Sequence, residues 1–600
     1  MTSSASRPQE SSIVHVQPSG QKAVWLWRLR FTLLMLLAAI GAGCGKTDVG
    51  VDPTKNPKTN EPGGGAAVQA EPPVPASIIR FEDIAEQSGV RFIPTNGREA
   101  GRYTIVESLG TGVAVADLDR DDRLDIIAPG GGTFDKDGNP VGQRNGVFRQ
   151  NDLLQFENIT TGCGIDTGSA YTHGVAIGDW NNDGFVDVVI TGFHAVRLFQ
   201  NCGDGTFQDV TPEAGLSQAE WATSAAFFDA DNDGDLELYI VNYVEWQPDD
   251  DRRCMINGHR NVCPPARFDA VSDRLYDNLG DGSFHEVSQE RGLEEGGKGL
   301  AVIAGDVDLD GDSDLYIAND TTANFLYLNQ GDGRFVESAL VSGCALGPTL
   351  QAEGSMGVAF ADFDLDGLPD IWVSNYENQS FAMYQSRAPG IFQHVSAVTG
   401  ISAVGQLYVG FGTAALDADL DGDQDIFAGN GHVMYESARA PLRQEALLFE
   451  NLEGQQFRNV IRESGEYGRS VHMARGVTPA DLNQDGSMDL VVAHMNEPIA
   501  VLKNTSRPQK HWVSLVLIGR RSNRSAIGAR AKVGTIVKLH TGGGSYLSDT
   551  DTPFTWAIDK ASRQVEVEIV WPSGNRQREK MFPNRINTVV EHLATPPDPS

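Results

Sequence analysis

The chain is short of positive charge. Its 47 Lys and Arg face 81 Asp and Glu, for a formal net charge of −34. That deficit argues against nucleic acid as a partner, because phosphate backbones are held by cationic surfaces. A long apolar run is also missing. The run Phe31–Gly43 falls short of the roughly 20 residues that cross a bilayer. No G-x-S-x-G, H-E-x-x-H or P-loop pattern occurs, so three common routes to catalysis have no support. Cysteine is scarce, with six in 600 residues. Glycine is not: the 66 glycines suit a turn-rich β protein better than a helical bundle.

The N-terminus reads as an address. Lys22, Arg28 and Arg30 precede the apolar stretch 31–43, as in a secretory signal. Gly41-Ala42-Gly43-Cys44 resembles a bacterial lipobox, so Cys44 is the expected lipidation site. Simple cleavage and secretion is the alternative, and a short membrane anchor a third. Residues 45–77 are rich in Pro, Gly and Thr and read as a disordered tether. Of the remaining cysteines, Cys254 and Cys263 close a short loop and are the expected disulfide in an oxidising compartment. A Cys163–Cys202 bond is a weaker expectation.

What the chain has in excess is one pattern, D-x-[DN]-x-D-G-x-x-[DE]. It starts at residues 117, 179, 229, 306, 362, 417 and 481. Each copy lies between two short apolar runs, such as "AVIAG" before 306 and "LYIAN" after 314. These runs read as buried strands joined by an acidic loop. A second element recurs as "LFQNCGDGTFQDVT", "LYDNLGDGSFHEVS" and "LYLNQGDGRFVESA", a hairpin with a Gly-Asp-Gly turn. Each repeat then holds about four strands in roughly sixty residues, the arithmetic of a β-propeller blade. The expected fold is all-β, a seven-bladed propeller over 78–504, then a small β domain over 505–592 and a disordered tail from 593. The segment 78–92 resembles the later half of the hairpin and the segment 499–504 the earlier half. The N-terminal strand should therefore complete the last blade.

The loops point to metal. Side chains at positions 1, 3 and 5 of such a turn converge, glycine at 6 permits the reversal, and an acid at 9 completes an oxygen shell. Position 1 is Asp117, Asp179, Asp229, Asp306, Asp362, Asp417 and Asp481. Position 3 is Asp119, Asn181, Asp231, Asp308, Asp364, Asp419 and Asn483. Position 5 is Asp121, Asp183, Asp233, Asp310, Asp366, Asp421 and Asp485. Position 9 is Asp125, Asp187, Glu237, Asp314, Asp370, Asp425 and Asp489. Oxygen ligands without His or Cys favour Ca²⁺, up to seven ions. Residues 78–504 carry 26 Lys and Arg against 68 Asp and Glu, so bound cations would relieve a net −42. The first loop is the weakest, because Asp122 replaces the glycine. A structural staple is a more natural role than a switch, since the loops recur one per blade.

On these residues the region 78–504 resembles FG-GAP (VCBS) repeats, the calcium-loop propeller repeats of integrin α heads. The pieces "HWVSLVLIG", "NRSAIGARAKV", "GGGSYLSD" and "EVEIVWPSGNRQ" resemble an ASPIC/UnbV domain. Together they resemble the cartilage acidic protein family and its bacterial relatives. The resemblance implies that the loop aspartates ligate calcium. It implies binding and adhesion rather than a defined reaction.

Residues 505–600 carry 14 Lys and Arg against 8 Asp and Glu, so this domain could dock on the acidic propeller or simply differ in surface. His173, His432 and His494 lie near strand ends, as do Asn319, Asp320, Asn375, Asn430 and Asn496. They could line a binding or catalytic mouth, or cap turns. The expected function is an extracytoplasmic, secreted or lipid-anchored, calcium-binding module that recognises protein or polysaccharide, without catalysis. An extracytoplasmic enzyme acting on polysaccharide at the axial mouth is the alternative, and a purely structural envelope protein a third.

Overall fold

The computed structural model describes residues 76–216, 220–437 and 439–593. The expected leader, Cys44, nearly all of the tether and residues 594–600 lie outside the described residues. The described chain is all-β, with only short helical turns such as Val106–Leu109. No described helix is long and apolar enough to cross a membrane.

The aspartate loops do join neighbouring antiparallel strands. The strands that precede them are Ala114–Ala116, Thr172–Gly178, Ala222–Phe228, Gly299–Gly305, Ser355–Ala361, Gly410–Leu416 and Ala474–Ala480. Each pairs with the strand after its loop, and that strand with the recurring hairpin, giving among the described residues seven such sheets of four strands, two of which gain a fifth from the C-terminal region. We number these sheets one to seven in chain order. The strands before the loops are the innermost. Each contacts its counterpart in the next sheet, and Ala474–Ala480 contacts Ala114–Ala116, so the ring closes as a propeller. Their residues are mostly small or β-branched, with exceptions such as Phe227, Phe411 and Arg475, and almost wholly buried, because seven backbones crowd one axis. The strand Phe81–Asp83 pairs with Ala500–Asn504 and supplies the fourth strand of sheet seven. Chain closure thus relies on partners more than 400 residues apart.

The C-terminal domain packs two further sheets around Val513, Leu515, Trp556, Val567, Ile569 and Trp571. Glu591 ties the turn between its first two motif pieces to the last piece. It accepts hydrogen bonds from the amides of Arg520, Arg521 and Ser522 at 2.8–3.0 Å and from Ser573 Oγ at 2.5 Å. Burial pushes its carboxyl up, but these donors outweigh burial and hold it down at about 2.

One segment of this domain leaves it. Residues 542–550, "GGGSYLSDT", run down the propeller axis and touch the innermost strand of every sheet. Asp549 pairs with Ala114 in sheet one and Gly543 with Ile303 in sheet four. Val175 N–H donates to Leu547 O at 3.1 Å, and Leu547 N–H to Ser224 Oγ at 3.2 Å, reaching sheets two and three. Ser545 bridges to Val358, accepts from Thr413 N–H at 3.0 Å and donates to Val477 O at 2.7 Å, reaching sheets five to seven. Tyr546 and Leu547 are fully buried. The fit demands glycine: a Cβ on Gly542 would lie 1.9 Å from Phe227 O, and one on Gly112 1.6 Å from Leu547 O. The axis is a packed core.

The Cys254–Cys263 disulfide is present, with Cα atoms 5.1 Å apart, in a hairpin of Cys254–Ile256 and His259–Asn261. The Cys163–Cys202 bond is not formed. Cys163 is buried in the core of the first two sheets while Cys202 is exposed, and both are free, as is Cys344.

Candidate metal loops and the face above them

Each loop is wound by its own carboxylates. Position 1 turns an oxygen to the amide of position 6, as in Asp179 to Gly184 (2.7 Å), Asp362 to Gly367 (3.0 Å) and Asp481 to Gly486 (2.8 Å). Position 5 accepts from the amide of position 7, as in Asp183 from Phe185 and Asp366 from Leu368, both 2.9 Å. The six glycines at position 6 have φ between 87° and 108°, where a side chain is strained. The first loop makes the same turn with Asp122 at φ 64°, and Asp117 accepts from its amide at 2.9 Å. The glycine substitution there alters the cost of the turn, not its shape.

These bonds leave specific oxygens over. Oδ1 of Asp179, Asp229, Asp306 and Asp362 at position 1, and Oδ1 of Asp119 and Asp231 at position 3, are buried without a hydrogen-bond partner. A buried, unpaired carboxylate oxygen is costly unless a cation meets it. Ligand atoms of Asp117, Asp119 and Asp125 converge within 4.8 Å, as do those of Asp229, Asp231 and Glu237, of Asp306, Asp308 and Asp314, and of Asp362, Asp364 and Asp366. The orphaned oxygens and this convergence fit a hard divalent cation. Burial raises the position 1 carboxyls, to about 6 for Asp117, Asp179, Asp306 and Asp362 and about 7 for Asp229 and Asp481. The neighbouring loop acids reinforce the rise.

Position 9 has a second duty. Asp314 accepts from Val307 N–H at 3.0 Å and from Asn329 N–H at 2.9 Å, so it braces the loop against the third strand. Asp125, Asp370, Asp425 and Asp489 do the same in their sheets.

The asparagine before the hairpin turn was not singled out from the sequence, though it recurs in "LFQN", "LYDN", "LYLN" and "LFEN". In the structure it joins sheets. Asn329 Nδ2 donates to Ser313 O in its own loop (3.1 Å) and to Ala230 O in the loop of the preceding sheet (2.7 Å). Asn201, Asn278, Asn451 and Asn504 repeat both bonds. The signal was its fixed place in the hairpin motif, directly before the turn, whatever the distance from the loop.

The C-terminal domain sits over the loop face. Arg530 pairs with Asp306 at 3.0 Å, Lys510 reaches Asp421 O, and half-buried Lys538 lies beside Asp417. A Cβ on Gly486 would lie 2.2 Å from the Trp512 ring. The positive domain therefore docks on the acidic loops.

The opposite strand ends are occupied differently. His173 is fully buried with Nδ1 at 2.8 Å from Gly110 O, and His494 lies 2.6 Å from Pro498 O and 3.0 Å from Tyr467 Oη. His432 accepts from Met434 N–H at 3.0 Å. Burial lowers all three to about 4, so they are neutral at pH 7. Asn319, Asn375 and Asn430 donate to Ala323 O, Ser380 O and Glu445 O, and Asn496 to Asn96 Oδ1. Asp320 accepts from Tyr243 Oη at 2.7 Å. These side chains hold turns together, and the plug's Tyr546 fills the axis between them.

Comparison with known proteins agrees with the architecture. A family model described as FG-GAP-like repeat matches residues 179–240, 266–317 and 306–373, and one described as ASPIC and UnbV matches 519–595. Cartilage acidic protein 1 of Mus musculus is 25% identical over 406 residues, covering 64% of this chain and 57% of that protein. The Homo sapiens protein is 24% identical over 399 residues, covering 64% and 55%. The match thus spans little more than half the length of these relatives. Among solved structures, one described as the recognition of non-reducing terminal N-acetylglucosamine by an Agrocybe aegerita lectin is similar at TM-score 0.37 and 16% identity. It covers 68% of this chain and 90% of that one.

Proposed function

We propose that this chain, an FG-GAP-like repeat propeller carrying an ASPIC and UnbV domain, is an extracytoplasmic calcium-binding module that recognises protein or polysaccharide. One observation carries the metal: the buried position 1 and 3 oxygens left unpaired in equivalent places on successive sheets. Calcium is the hard cation that accepts such irregular oxygen shells. When bound it supplies positive charge and fixes the loops. The chain's own residues do the rest. Positions 1 and 5 wind each loop, position 9 ties it to the third strand, and the asparagine clamp ties it to the next sheet. Calcium is thereby a staple of a rigid platform.

The recognition surface is the face away from the loops, since the C-terminal domain covers the loop side. There Arg260, Tyr103, Tyr435 and Arg98 stack in sequence, with guanidinium-to-ring distances of 4.7 and 3.7 Å and ring centroids 4.2 Å apart. Aromatic and arginine side chains together favour recognition. The plugged axis and the turn-bound histidines favour binding over turnover. The test is capture on immobilised protein in about 1 mM Ca²⁺, followed by elution with chelator. A discrete protein or glycan in the eluate supports the reading. An empty eluate, with calcium still raising the melting temperature, reduces calcium to a staple of a scaffold.

A further inference from the structure

Between the loop face and the C-terminal domain lies a cavity of about 530 Å³. That is within the range of ligand pockets, about 300–1,000 Å³. Its floor is the loops of sheets one, two and seven, and its roof the strand His511–Ile518 with residues 551–555. Two guanidinium groups enter it. Arg120 comes from position 4 of the first loop, where φ is 60°. Arg524 comes from the C-terminal domain.

The two converge on one spot. A Cβ built on Gly184 would lie 2.7 Å from Arg524 Nε and 3.0 Å from Arg120 Nη1. Each is held from behind. Asn523 closes a turn by accepting from Ile527 N–H at 2.9 Å and donating to Ile527 O at 2.8 Å. Arg524 N–H donates to Asn182 Oδ1 at 2.9 Å, which fixes it over the second loop. Arg120 lies 5.2 Å from the Phe185 ring. Among the described residues, the ion pairs of its own loop, from Asp121 and Asp119, go to Arg123 and Arg149, not to Arg120. Arg524 feels Asp179, which is a loop ligand. Two like charges side by side repel, and in a confined chamber they call for an anion between them. The remaining wall carries hydroxyl and amide groups, among them Thr552, Thr588 and Gln484, with the Phe554 ring beside them, and two further carboxylates, Asp122 and Asp551, the second 3.6 Å from His540 Nε2.

We propose that this chamber binds an acidic saccharide, its carboxylate or sulfate between Arg120 and Arg524 and its hydroxyls on the threonine wall. The proposal rests on the loops being calcium-loaded. Without metal, Asp117, Asp179 and Asp481 on the floor would repel the same anion.

The test is calorimetric titration of the full chain with D-glucuronate, D-glucose and inorganic sulfate, in calcium and in chelator, beside a melting curve for each. We expect glucuronate to bind in calcium at least tenfold more tightly than glucose or sulfate alone. R120Q and R524Q should each weaken it at least tenfold while keeping the calcium-dependent rise in melting temperature, which shows that they fold and load metal. Glucuronate binding unchanged in the double variant overturns the proposal. So does a wild-type chain that is stabilised by calcium but binds no glucuronate. Sulfate binding as tightly as glucuronate overturns the saccharide and leaves an anion site. If calcium leaves the melting curve unmoved, the metal reading fails separately, and glucuronate binding that persists in chelator removes the dependence stated here.

Discussion

The hydroxyl of Tyr546 donates a 3.1 Å hydrogen bond to the carbonyl of Leu109. The two lie 437 residues apart and join the tip of the C-terminal plug to the helical turn Val106–Leu109 beside the axis. The ring packs edge-on against Phe411 with centroids 4.9 Å apart. Tyr546→Ala should therefore destabilise the whole chain, by about 3–5 kcal/mol, as for other large buried aromatics. Tyr546→Phe, which loses only the hydrogen bond, should cost about 1 kcal/mol. Urea unfolding followed by tryptophan fluorescence measures both. A local, non-cooperative loss in Tyr546→Ala would show that the plug is an accessory and not part of the propeller core.

The metal assignment makes a conditional prediction. Asp310 at position 5 accepts from Asp312 N–H at 3.0 Å and is exposed, so without an ion its part in the fold is this one turn hydrogen bond at the surface. Asp310→Ala should lower the melting temperature in calcium and change it little in chelator. Asp314→Ala should lower it in both, because Asp314 also braces Val307 and Asn329. Equal losses for Asp310→Ala in the two conditions would remove it from the ligand set.

Acidity should act in opposite directions with and without metal. The position 1 carboxyls are raised from the usual range to about 6 or 7 by burial. Groups raised in the fold contribute stability that is present below the unfolded value, about 4, and lost as pH climbs through the folded value. In chelator the protein should thus melt lower at pH 8 than at pH 5. Calcium needs the ionised form, so its stabilising effect should grow over the same interval. The gap between melting curves with and without calcium is the readout. A gap that does not widen from pH 5 to pH 8 would contradict loop carboxylates as the ligands.

Much of this was legible in the residues. The aspartate pattern, its flanking apolar runs and the hairpin turn are local, and local periodicity is what a sequence displays. The closing strand Phe81–Asp83 was legible for a different reason: it resembles its counterparts in other repeats. The axial segment was not. "GGGSYLSDT" has no strand periodicity, because it is shaped by seven surrounding backbones and not by its own pattern. The left-handed backbone at position 4 was also hidden. It falls on Leu309, Leu365 and Leu420, residues with no local preference for it, and tertiary closure of the loop imposes it. The histidines at the strand ends looked chemical in the sequence. The Nδ1 of each proved to be spent on a nearby backbone group, while Nε2 of His173 and of His432 is buried without a hydrogen-bond partner and Nε2 of His494 meets Tyr467 Oη.

The asparagine clamp gives the last prediction. Asn329 satisfies two buried carbonyls, Ala230 O and Ser313 O, on adjacent sheets. Asn329→Ala strands both, and each orphaned buried group costs about 1–3 kcal/mol. Asn329→Asp keeps the shape but replaces the donor with an acceptor facing those carbonyls, so it should be the worse of the two. If the clamp couples sheets, the damage must cross from sheet four to sheet three. Hydrogen exchange should then rise at the Asp229 loop as well as at the Asp306 loop. Exchange confined to the fourth sheet would show that the bond to Ala230 is incidental, and that adjacent sheets are held by apolar packing alone.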